Sequence, residues 1–418
     1  MALDTHNFGG GPGSGPGSGT LQATFLTQLG AAHAGTARFS PPQAARAAEV
    51  AGLLARFIAQ AKFSLHVAIY DFRLSGEAAR LVVDALNERA AAGVTVRIAY
   101  FQAPGQPTPE AFALLGSDPA VLGASPDTGT HKLHPNVHMK AILPDPSLPA
   151  LQAPIEGEPI TAPSNLMHSK YVVRDGTTPE AALLTGSANF TVDAWSVQDN
   201  NIVVLDPCPA LARSYEADFG ALWTSGHILD TGNFSTGPVD VGGIPVQVLF
   251  APGRGRQIGA AIASRISAAR TRLYVVSMVI SSGPILGAMS DRMVAIPEFG
   301  GLFDGPEMAM ILRQWDKAPA GDQGAASRGK AAQFREVAAS LHRKDSLPYS
   351  VAGLHNFMHD KFAVVDDVVV TGSFNFSTNA QRSAENVLVI QNAAVADAYA
   401  AYAKALIALY PATGTAPA

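Results

Sequence analysis

The sequence predicts an α/β protein made of two similar domains. Strand-like and helix-like runs alternate along the chain, which is typical of α/β layers. The order of these runs in residues 39–205 recurs in residues 250–390, and a repeat of this length indicates duplicated domains rather than a solenoid. With 418 residues, 47% of them hydrophobic, the chain is large enough for two buried cores.

The repeat is visible element by element. Each half opens with a Phe-x-Pro triplet, Phe39-Ser40-Pro41 or Phe250-Ala251-Pro252, in front of an Ala-rich helical pattern. Later each half contains two strand-like runs separated by a turn, then a helix-like stretch and a last strand. The predicted helices are 43–61, 76–92 and 257–269, and the predicted strands lie at 65–72, 94–100 and 273–280, within 170–190 and 361–376, and at 201–205 and 386–390.

Shifts in composition predict the domain limits. Residues 1–20, with their Gly/Pro/Ser-rich run, are expected to be a flexible lead-in. The stretch 231–243 is also rich in Gly, Pro and Ser and separates the two halves. The sequence therefore predicts a first domain at 21–235 and a second domain at 236–418.

Two segments fall outside the repeat and are expected to be loops that shape a substrate entrance. Residues 101–164 are rich in Pro and Gly, whereas residues 291–355 mix Met, Gly and charge. Methionines here fill a core more often than they form a rim for acyl chains. The basic side chains suit either an anionic groove or a solvated helix face. The methionines are Met289, Met293, Met308 and Met310, and the basic residues are Arg328, Lys330, Arg335, Arg343 and Lys344.

Charge and cysteine content limit the function classes. A net charge of −5 and a pI of about 6.1 predict no general attraction to nucleic acid or anionic membranes. The single cysteine, Cys208, excludes an internal disulfide and a thiolate zinc site. The amino terminus has no signal-peptide pattern and no uncharged run reads as a membrane span, so we expect a cytoplasmic protein without a transmembrane segment.

The strongest motif occurs once in each half. Each copy has His-x-Lys, then four residues and an Asp, and Gly-Ser-x-Asn farther along. Because residues two apart on a strand share a face, the His and Lys of each copy are expected to project together. The copies are His168-Ser169-Lys170 with Asp175 and Gly186-Ser187-Ala188-Asn189, and His359-Asp360-Lys361 with Asp366 and Gly372-Ser373-Phe374-Asn375.

These residue types suit phosphodiester chemistry. Lysines offset the charge that grows on the non-bridging oxygens, and Ser and Asn add hydrogen-bond donors. One imidazole can attack phosphorus, while a second, protonated imidazole gives its proton to the leaving oxygen and later takes one from water. Histidine titrates near neutrality, so both roles can coexist. Each half has one such histidine, so one half alone is expected to be inactive.

The double motif resembles the signature of the phospholipase D superfamily, and the resemblance covers residues 39–392. It implies two α/β domains of mixed sheets flanked by helices, packed about a pseudo-twofold axis with the histidines facing each other. It also implies a phosphohistidine intermediate with no cofactor and no metal.

The same resemblance implies a role for each motif residue. His168 is expected to be the nucleophile and His359 the general acid and base. Asp175 and Asp366 are expected to support their hairpins rather than contact substrate. The implied phosphate-binding set is Lys170, Lys361, Ser187, Asn189, Ser373 and Asn375.

One position departs from the family pattern. Members often carry a carboxylate about ten residues beyond Gly-Ser-x-Asn, where it orients a histidine. Glu385 occupies this position in the second half, but the first half has Asn200, with Asp199 one residue away. The two histidines are therefore expected to be tuned differently.

A third His-x-Lys, at His138-Met139-Lys140 with Asp145, competes with the first motif. It lacks Gly-Ser-x-Asn and runs into several prolines, which disfavour a strand. With His131 and His134 it also suggests a metal site, but without acidic or Cys partners at regular spacing a solvated loop is favoured.

Three functions fit the motifs. Hydrolysis of phospholipid headgroup esters is favoured by the complete double motif and the Met-bearing segment. A nuclease acting on DNA or RNA is favoured by the absent export signal, although the acidic net charge argues against strong non-specific binding. A non-catalytic phosphate-binding scaffold is disfavoured because both histidines and both lysines are intact.

Overall fold

Two eight-stranded mixed sheets form the framework of the computed structural model. The structure describes residues 3–10, 19–31, 39–102, 133–145, 147, 151–155, 158–162, 165–348 and 354–412. The first sheet and two separate pairs, β4–β11 and β7–β8, contain the strands of the first half. These strands are β1 (Asp4–Phe8), β2 (Thr20–Leu26), β3 (Ser64–Ile69), β4 (Phe72–Arg73), β5 (Thr95–Phe101), β6 (Val137–Ile142), β7 (Leu151–Ile155), β8 (Glu158–Ala162), β9 (Lys170–Arg174), β10 (Ala182–Gly186), β11 (Phe190–Thr191) and β12 (Asn200–Asp206). The second sheet contains β13 (Val239–Val241), β14 (Ile244–Ala251), β15 (Arg272–Ser277), β16 (Glu298–Asp304), β17 (His342–Lys344), β18 (Lys361–Val365), β19 (Val368–Gly372) and β20 (Glu385–Gln391).

The two sheets have the same topology. The order is β1-β2-β12-β10-β9-β3-β5-β6 in the first and β13-β14-β20-β19-β18-β15-β16-β17 in the second. In both sheets the strand that carries the motif lysine is paired antiparallel with a central strand. In the first sheet β9 pairs with β3, so that Lys170 lies opposite Ile69, and in the second sheet β18 pairs with β15, so that Lys361 lies opposite Ser277. The predicted duplication of an α/β fold is therefore confirmed strand by strand.

Helices cover both faces of each sheet. They are α1 (Pro41–Ala59), α2 (Gly76–Ala91), α3 (Val192–Ser196), α4 (Pro209–Ser225), α5 (Gly255–Ser267), α6 (Gly283–Met293), α7 (Gly305–Asp316), α8 (Asp322–Ala338) and α9 (Ala393–Leu409). Helix α1 begins where predicted because Ser40 and Gln43 form a capping box ahead of Pro41. Its buried Val50, Leu54 and Phe57 recur every three or four residues and pack on the sheet.

The largest apolar cluster lies between the two sheets and contains the inner faces of α4 and α9. Its aromatic contacts are reciprocal. Tyr215 of α4 meets Phe250 of β14 edge to face at 4.8 Å, and Tyr399 of α9 meets Phe25 of β2 in the same way at 4.9 Å. Such contacts stabilise beyond their buried area, so each half helps to hold the other in place about a pseudo-twofold axis.

Three sequence-based predictions of local structure were wrong. Asp4–Phe8 is not a flexible lead-in but a strand that pairs with β2, although residues 11–18 lie outside the described residues. Segment 291–355 is not a loop, because it forms β16, α7, α8 and β17. Within 101–164, residues 103–132 lie outside the described residues, but β6 and the hairpin β7–β8 are regular. Pairing with neighbouring strands overrode the weak local patterns. The domain limits at 235/236 stay a prediction.

The motif aspartates hold the tips of two hairpins. Asp175 has a left-handed φ of 52°, and its carboxylate accepts the backbone N–H groups of Lys62, Phe63 and Ser64 at 2.7–2.9 Å. Asp366 has φ 49° and accepts N–H groups from residues 270–272. Both therefore tie the end of a hairpin to the start of the neighbouring strand.

Asp175→Ala is expected to destabilise the protein by about 2–3 kcal/mol, because three backbone N–H groups lose a partly buried charged acceptor. Asp175→Asn, which tolerates the left-handed backbone and keeps one acceptor, should cost about 1–2 kcal/mol. Urea unfolding followed by circular dichroism measures both.

Asp230→Ala is the matched control, since exposed Asp230 also has a left-handed φ, of 61°. An equal loss of stability in Asp175→Ala and Asp230→Ala would show that backbone conformation, not the hydrogen bonds, carries the effect.

Candidate active site

Backbone contacts between the two halves position both motif histidines. The N–H of His168 donates to the carbonyl of Ala384 at 2.9 Å, next to a bridge between Met167 and Ala384. In the other half, the N–H of His359 donates to the carbonyl of Asp199 at 3.0 Å. Each histidine thus enters the site from one half while its backbone is held by the other.

The side chains cross the boundary in the same way. His168 Nδ1 lies 2.9 and 3.0 Å from the two carboxylate oxygens of Glu385. His359 Nδ1 lies 3.0 Å from Oδ1 of Asn200. Both partners are acceptors when Glu385 is ionised, so each Nδ1 carries the proton and each Nε2 is left for chemistry.

The motif lysines are almost fully buried, with 1% exposure each. Lys170 Nζ donates to the carbonyl of His168 at 2.7 Å, and Lys361 donates to the carbonyl of His359. Tyr70 adds an aromatic wall on one side only, with its ring 4.9 Å from the ring of His168 and 5.2 Å from Lys170 Nζ. These contacts fix the two ammonium groups beside the imidazoles.

The glycine of each Gly-Ser-x-Asn motif allows a close approach of two strands. A Cβ at Gly186 would lie 2.2 Å from the carbonyl oxygen of Asn201, and one at Gly372 would lie 2.2 Å from that of Asn386. Both glycines also have positive φ, 148° and 145°. Any other residue would push the serine that follows away from the site.

The two serines support the residues that orient the histidines. Ser187 Oγ donates to Asn200 Oδ1 at 2.8 Å, and Ser373 Oγ donates to Glu385 Oε2 at 2.5 Å. Each serine also accepts the backbone N–H of the residue that follows its side-chain partner, Asn201 for Ser187 and Asn386 for Ser373. Phosphate binding by the serines stays a prediction, because in the structure their hydroxyls serve Asn200 and Glu385.

The amides of Asn189 and Asn375 are available to a ligand. The side-chain oxygen of each is buried without a hydrogen-bond partner. An unpaired buried polar atom costs free energy, and rotation of the amide presents either its oxygen or its NH₂ group. Both amides therefore suit the predicted role of binding a polar group such as phosphate.

Burial and the two lysines control the protonation of the site. The pKa of His168 is well below its usual range because of burial and then because of Lys170 and Lys361. The pKa of His359 is lowered by burial, by the same two lysines and by His168. Burial lowers the pKa of Lys170 to about 7, against the opposing effect of Glu385. An anion placed among these groups would favour their charged forms.

The pKa of Glu385 is shifted upward, opposite to the pKa values of the histidines and of Lys170. Burial raises the pKa of its carboxyl to about 8, although Lys170 and a hydrogen bond from Ser373 oppose the shift. A carboxylate gains most from a positive charge that develops beside it. His168 is therefore the motif histidine with a carboxyl group at Nδ1, and this carboxyl group offsets a positive charge on the ring when it is ionised.

The sequence analysis missed several residues of this site. Tyr70 lies just after β3, within the predicted strand 65–72, and was assigned no role in the site. Asp360, between the second His and Lys, is fully buried and accepts hydrogen bonds from Asn201 Nδ2 at 2.7 Å and from the hydroxyl of Tyr402 at 2.8 Å. The position of Asp360 inside the second motif was the available signal, but its hydrogen-bond partners, Asn201 and Tyr402, lie far away in the sequence.

The competing His-x-Lys is not part of the site. His138 is exposed on β6, and Lys140 donates to the carbonyls of Trp223 and Thr224. The segment is a strand, so the predicted loop was wrong, while His131 lies outside the described residues. Across the described part of the chain, no three His, Cys, Asp or Glu side chains are grouped as metal ligands.

The roles expected for the methionines and the basic residues near and within segment 291–355 were only partly predicted. Met289 and Met308 are fully buried, which confirms core filling for these two. Arg335 pairs with Asp316 on the surface. Lys344, by contrast, is 2% exposed, so it belongs neither to a solvated face nor to an open groove.

Duplicated sheets with two facing His-x-Lys motifs define a phospholipase D-like protein. The family model described as cardiolipin synthase, PLD-like domain, matches residues 54–223 and 262–407. The chain therefore belongs to this phospholipase D-like family. Within the described residues, no helix is long and apolar enough to cross a membrane.

Individual relatives are distant. The chain is 38% identical over 60 residues to a mitochondrial cardiolipin hydrolase of Xenopus laevis, a match that spans 14% of this chain and 26% of that protein. Phosphatidylserine synthase of Haemophilus influenzae Rd KW20 shares the fold, with a TM-score of 0.54 at 12% identity over 88% of this chain and 86% of that one. Nuc of Salmonella typhimurium, a phospholipase D family member, matches 40% of this chain and 97% of its own, with 20% identity and a TM-score of 0.29.

Sulfate binding should weaken as the pH rises. Lys170, with its pKa lowered to about 7, is charged below that pH and neutral above it, and the lowered pKa values of the histidines act in the same direction. Sulfate keeps its charge over this range, so its affinity should fall about tenfold between pH 6 and pH 8. Isothermal titration calorimetry at several pH values measures this.

Lys170→Met should bind sulfate more weakly at pH 6 and lose much of the pH dependence. Binding by the wild-type protein that is equally strong at pH 6 and pH 8 would show that Lys170 keeps its ordinary pKa.

Proposed function

We propose that the protein is a metal-independent phosphodiesterase that cleaves headgroup esters of phospholipids through a phosphohistidine intermediate. The crossed hydrogen bonds of His168 and His359 are the observation that carries the proposal. The two imidazoles and the two lysines lie together in a buried region, and each Nδ1 has its hydrogen-bond partner in the other half of the chain. The lysines supply the positive charge, so the proposed chemistry needs no metal ion.

The different partners of the two histidines support different roles. Glu385 beside His168 increases the nucleophilicity of Nε2 and stabilises the positive ring that forms when phosphorus is bound. Asn200 beside His359 is neutral, so it holds the ring without retaining the proton, as a general acid requires. We therefore assign His168 as nucleophile and His359 as general acid and base.

The reaction then has two steps. His168 Nε2 attacks phosphorus, the bond from phosphorus to the leaving oxygen breaks, and His359 gives that oxygen a proton. Water next attacks the phosphorus of the intermediate, His359 takes a proton from the water, and the phosphorus–nitrogen bond breaks. Lys170, Lys361, Asn189 and Asn375 stabilise the non-bridging oxygens throughout.

The family supports a phospholipid as the substrate. The matching model is described by cardiolipin synthase, and the relative that aligns over 60 residues is named a cardiolipin hydrolase. A phosphohistidine intermediate can pass its phosphoryl group to water or to an alcohol. The proposal is hydrolysis, and transfer to an added alcohol is measured in the same assay.

Wild-type protein should release headgroup from phospholipid in mixed micelles with excess chelator present. His168→Ala and His359→Ala should each lose at least about 10³-fold in rate, because each removes a group that acts in both steps. Headgroup release and phosphatidylethanol formation, with ethanol added, are measured together.

His138→Ala is the matched control, because it removes an exposed histidine of a competing His-x-Lys and should keep full activity. Activity that disappears with chelator and returns with added metal would contradict the metal-independent mechanism. Cleavage of fluorescent single-stranded DNA but not lipid would instead assign the same site to a nuclease.

The nucleophile is identified by trapping. In His359→Ala the second step lacks its base, so a substrate with a nitrophenyl leaving group should leave a phosphoryl adduct on the peptide that contains His168. Mass spectrometry after a neutral or alkaline quench locates it. The assignment would be reversed by an adduct on His359 in the reciprocal variant His168→Ala, together with no adduct on His168 in His359→Ala.

A further inference from the structure

A buried ion pair lies directly behind His359. Lys344 Nζ, at the end of β17, is 2.8 Å from Oδ2 of Asp199, and the two side chains are 2% and 0% exposed. The hydroxyl of Tyr410 donates to the same carboxylate at 2.9 Å, and the N–H of Gln28 donates to it at 2.9 Å. Three distant parts of the chain therefore converge on the carboxylate of Asp199.

The main chain of Asp199 holds the segment that carries His359. Its carbonyl accepts the N–H of His359 at 3.0 Å, and its N–H donates to the carbonyl of Phe357 at 3.2 Å. Lys344 Nζ also lies 3.3 Å from the carbonyl of Phe357. The next residue, Asn200, accepts from His359 Nδ1. The ion pair is thus linked to both the backbone and the ring of His359.

Within the described residues, the other histidine has no such anchor. The residue equivalent to Asp199 is Ala384, whose N–H and carbonyl make the same backbone hydrogen bonds to Leu166 and His168. Only a methyl group stands where Asp199 has its carboxylate. Burying an ion pair has a high desolvation cost and is weak evidence for stability, so its presence on one side alone calls for another explanation.

We infer that Asp199, Lys344 and Tyr410 form a clamp that positions His359 as the proton donor. The clamp does not contact the reacting atoms; it acts through Asn200 and the backbone of Phe357 and His359. Its role in proton donation rests on the proposed function of His359, whereas its effect on the position of His359 does not. A clamp on this side suits the histidine that must keep its geometry while it gains and loses a proton.

The test uses the double variant Asp199→Asn/Lys344→Met, which removes both buried charges together and avoids leaving one unpaired. Its matched control is Arg174→Met/Asp206→Asn, which removes an ion pair of 2.8 Å at the opposite ends of β9 and β12. Tyr410→Phe is a milder second variant that removes only one donor to Asp199.

The first readout is independent of activity. Hydrogen exchange measured by mass spectrometry should be about tenfold faster at the amide of His359 in the double variant. The amide of His168, held by Ala384, should not change. The control variant should leave both amides as in the wild type, and Tyr410→Phe should give a smaller effect at His359 alone.

The second readout separates proton donation from binding. In single turnovers, the double variant should cleave an alkyl ester about 10- to 100-fold more slowly, because that leaving oxygen needs a proton. It should release nitrophenolate, which needs none, less than about threefold more slowly. The control variant should show no difference between the two esters.

Either of two results would overturn the inference. The first is exchange of the His359 amide at the wild-type rate in the double variant. The second is slower cleavage of both esters by the same factor, as for an ion pair that only stabilises the fold. If the wild type cleaves neither ester while the His359 amide still responds selectively, the positional link stands and the proposed function fails.

Discussion

The structure depends on an exchange of hydrogen-bond partners between the two halves of the chain. His168 takes its Nδ1 partner, Glu385, from the second half, and His359 takes Asn200 from the first. Neither imidazole is oriented within its own half. Tyr215 packs against Phe250, and Tyr399 packs reciprocally against Phe25. These contacts do more than bury apolar surface, because they hold the two halves together and so bring each histidine to its partner.

The same interface sets the electrostatics of the site. Two lysines and two histidines share a space from which water is largely excluded, so burial lowers the pKa of all four groups. Repulsion by neighbouring positive groups lowers the pKa values of His168, His359 and Lys361 further. A cluster of this kind is costly while empty and is stabilised by a bound anion. A bound anion offsets the cost of burying these groups, as is expected of a site that is preorganised for negative charge.

Duplication preserved the geometry while the chemistry of the two halves diverged. The glycines at 186 and 372, the serines after them and the hairpin aspartates occupy equivalent places, and the φ values of the glycines and of the aspartates are nearly equal. Glu385 against Asn200, and Asp199 against Ala384, break the symmetry at the residues behind the histidines. A symmetric frame with unequal partners gives two identical side chains different surroundings.

The order of helices and strands, the duplication and the His-x-Lys pairs could be predicted from the sequence, because they depend on periods of 2 and 3.6 residues and on short spacings. Asp4–Phe8 and segment 291–355 were mispredicted because pairing with distant strands overrides weak local patterns. Contacts of Glu385 with His168, 217 residues apart, and of Lys344 with Asp199, 145 residues apart, were decided only by the tertiary structure. Such partners meet because two complete sheets pack together, and no local pattern encodes which side chains will face each other across that interface.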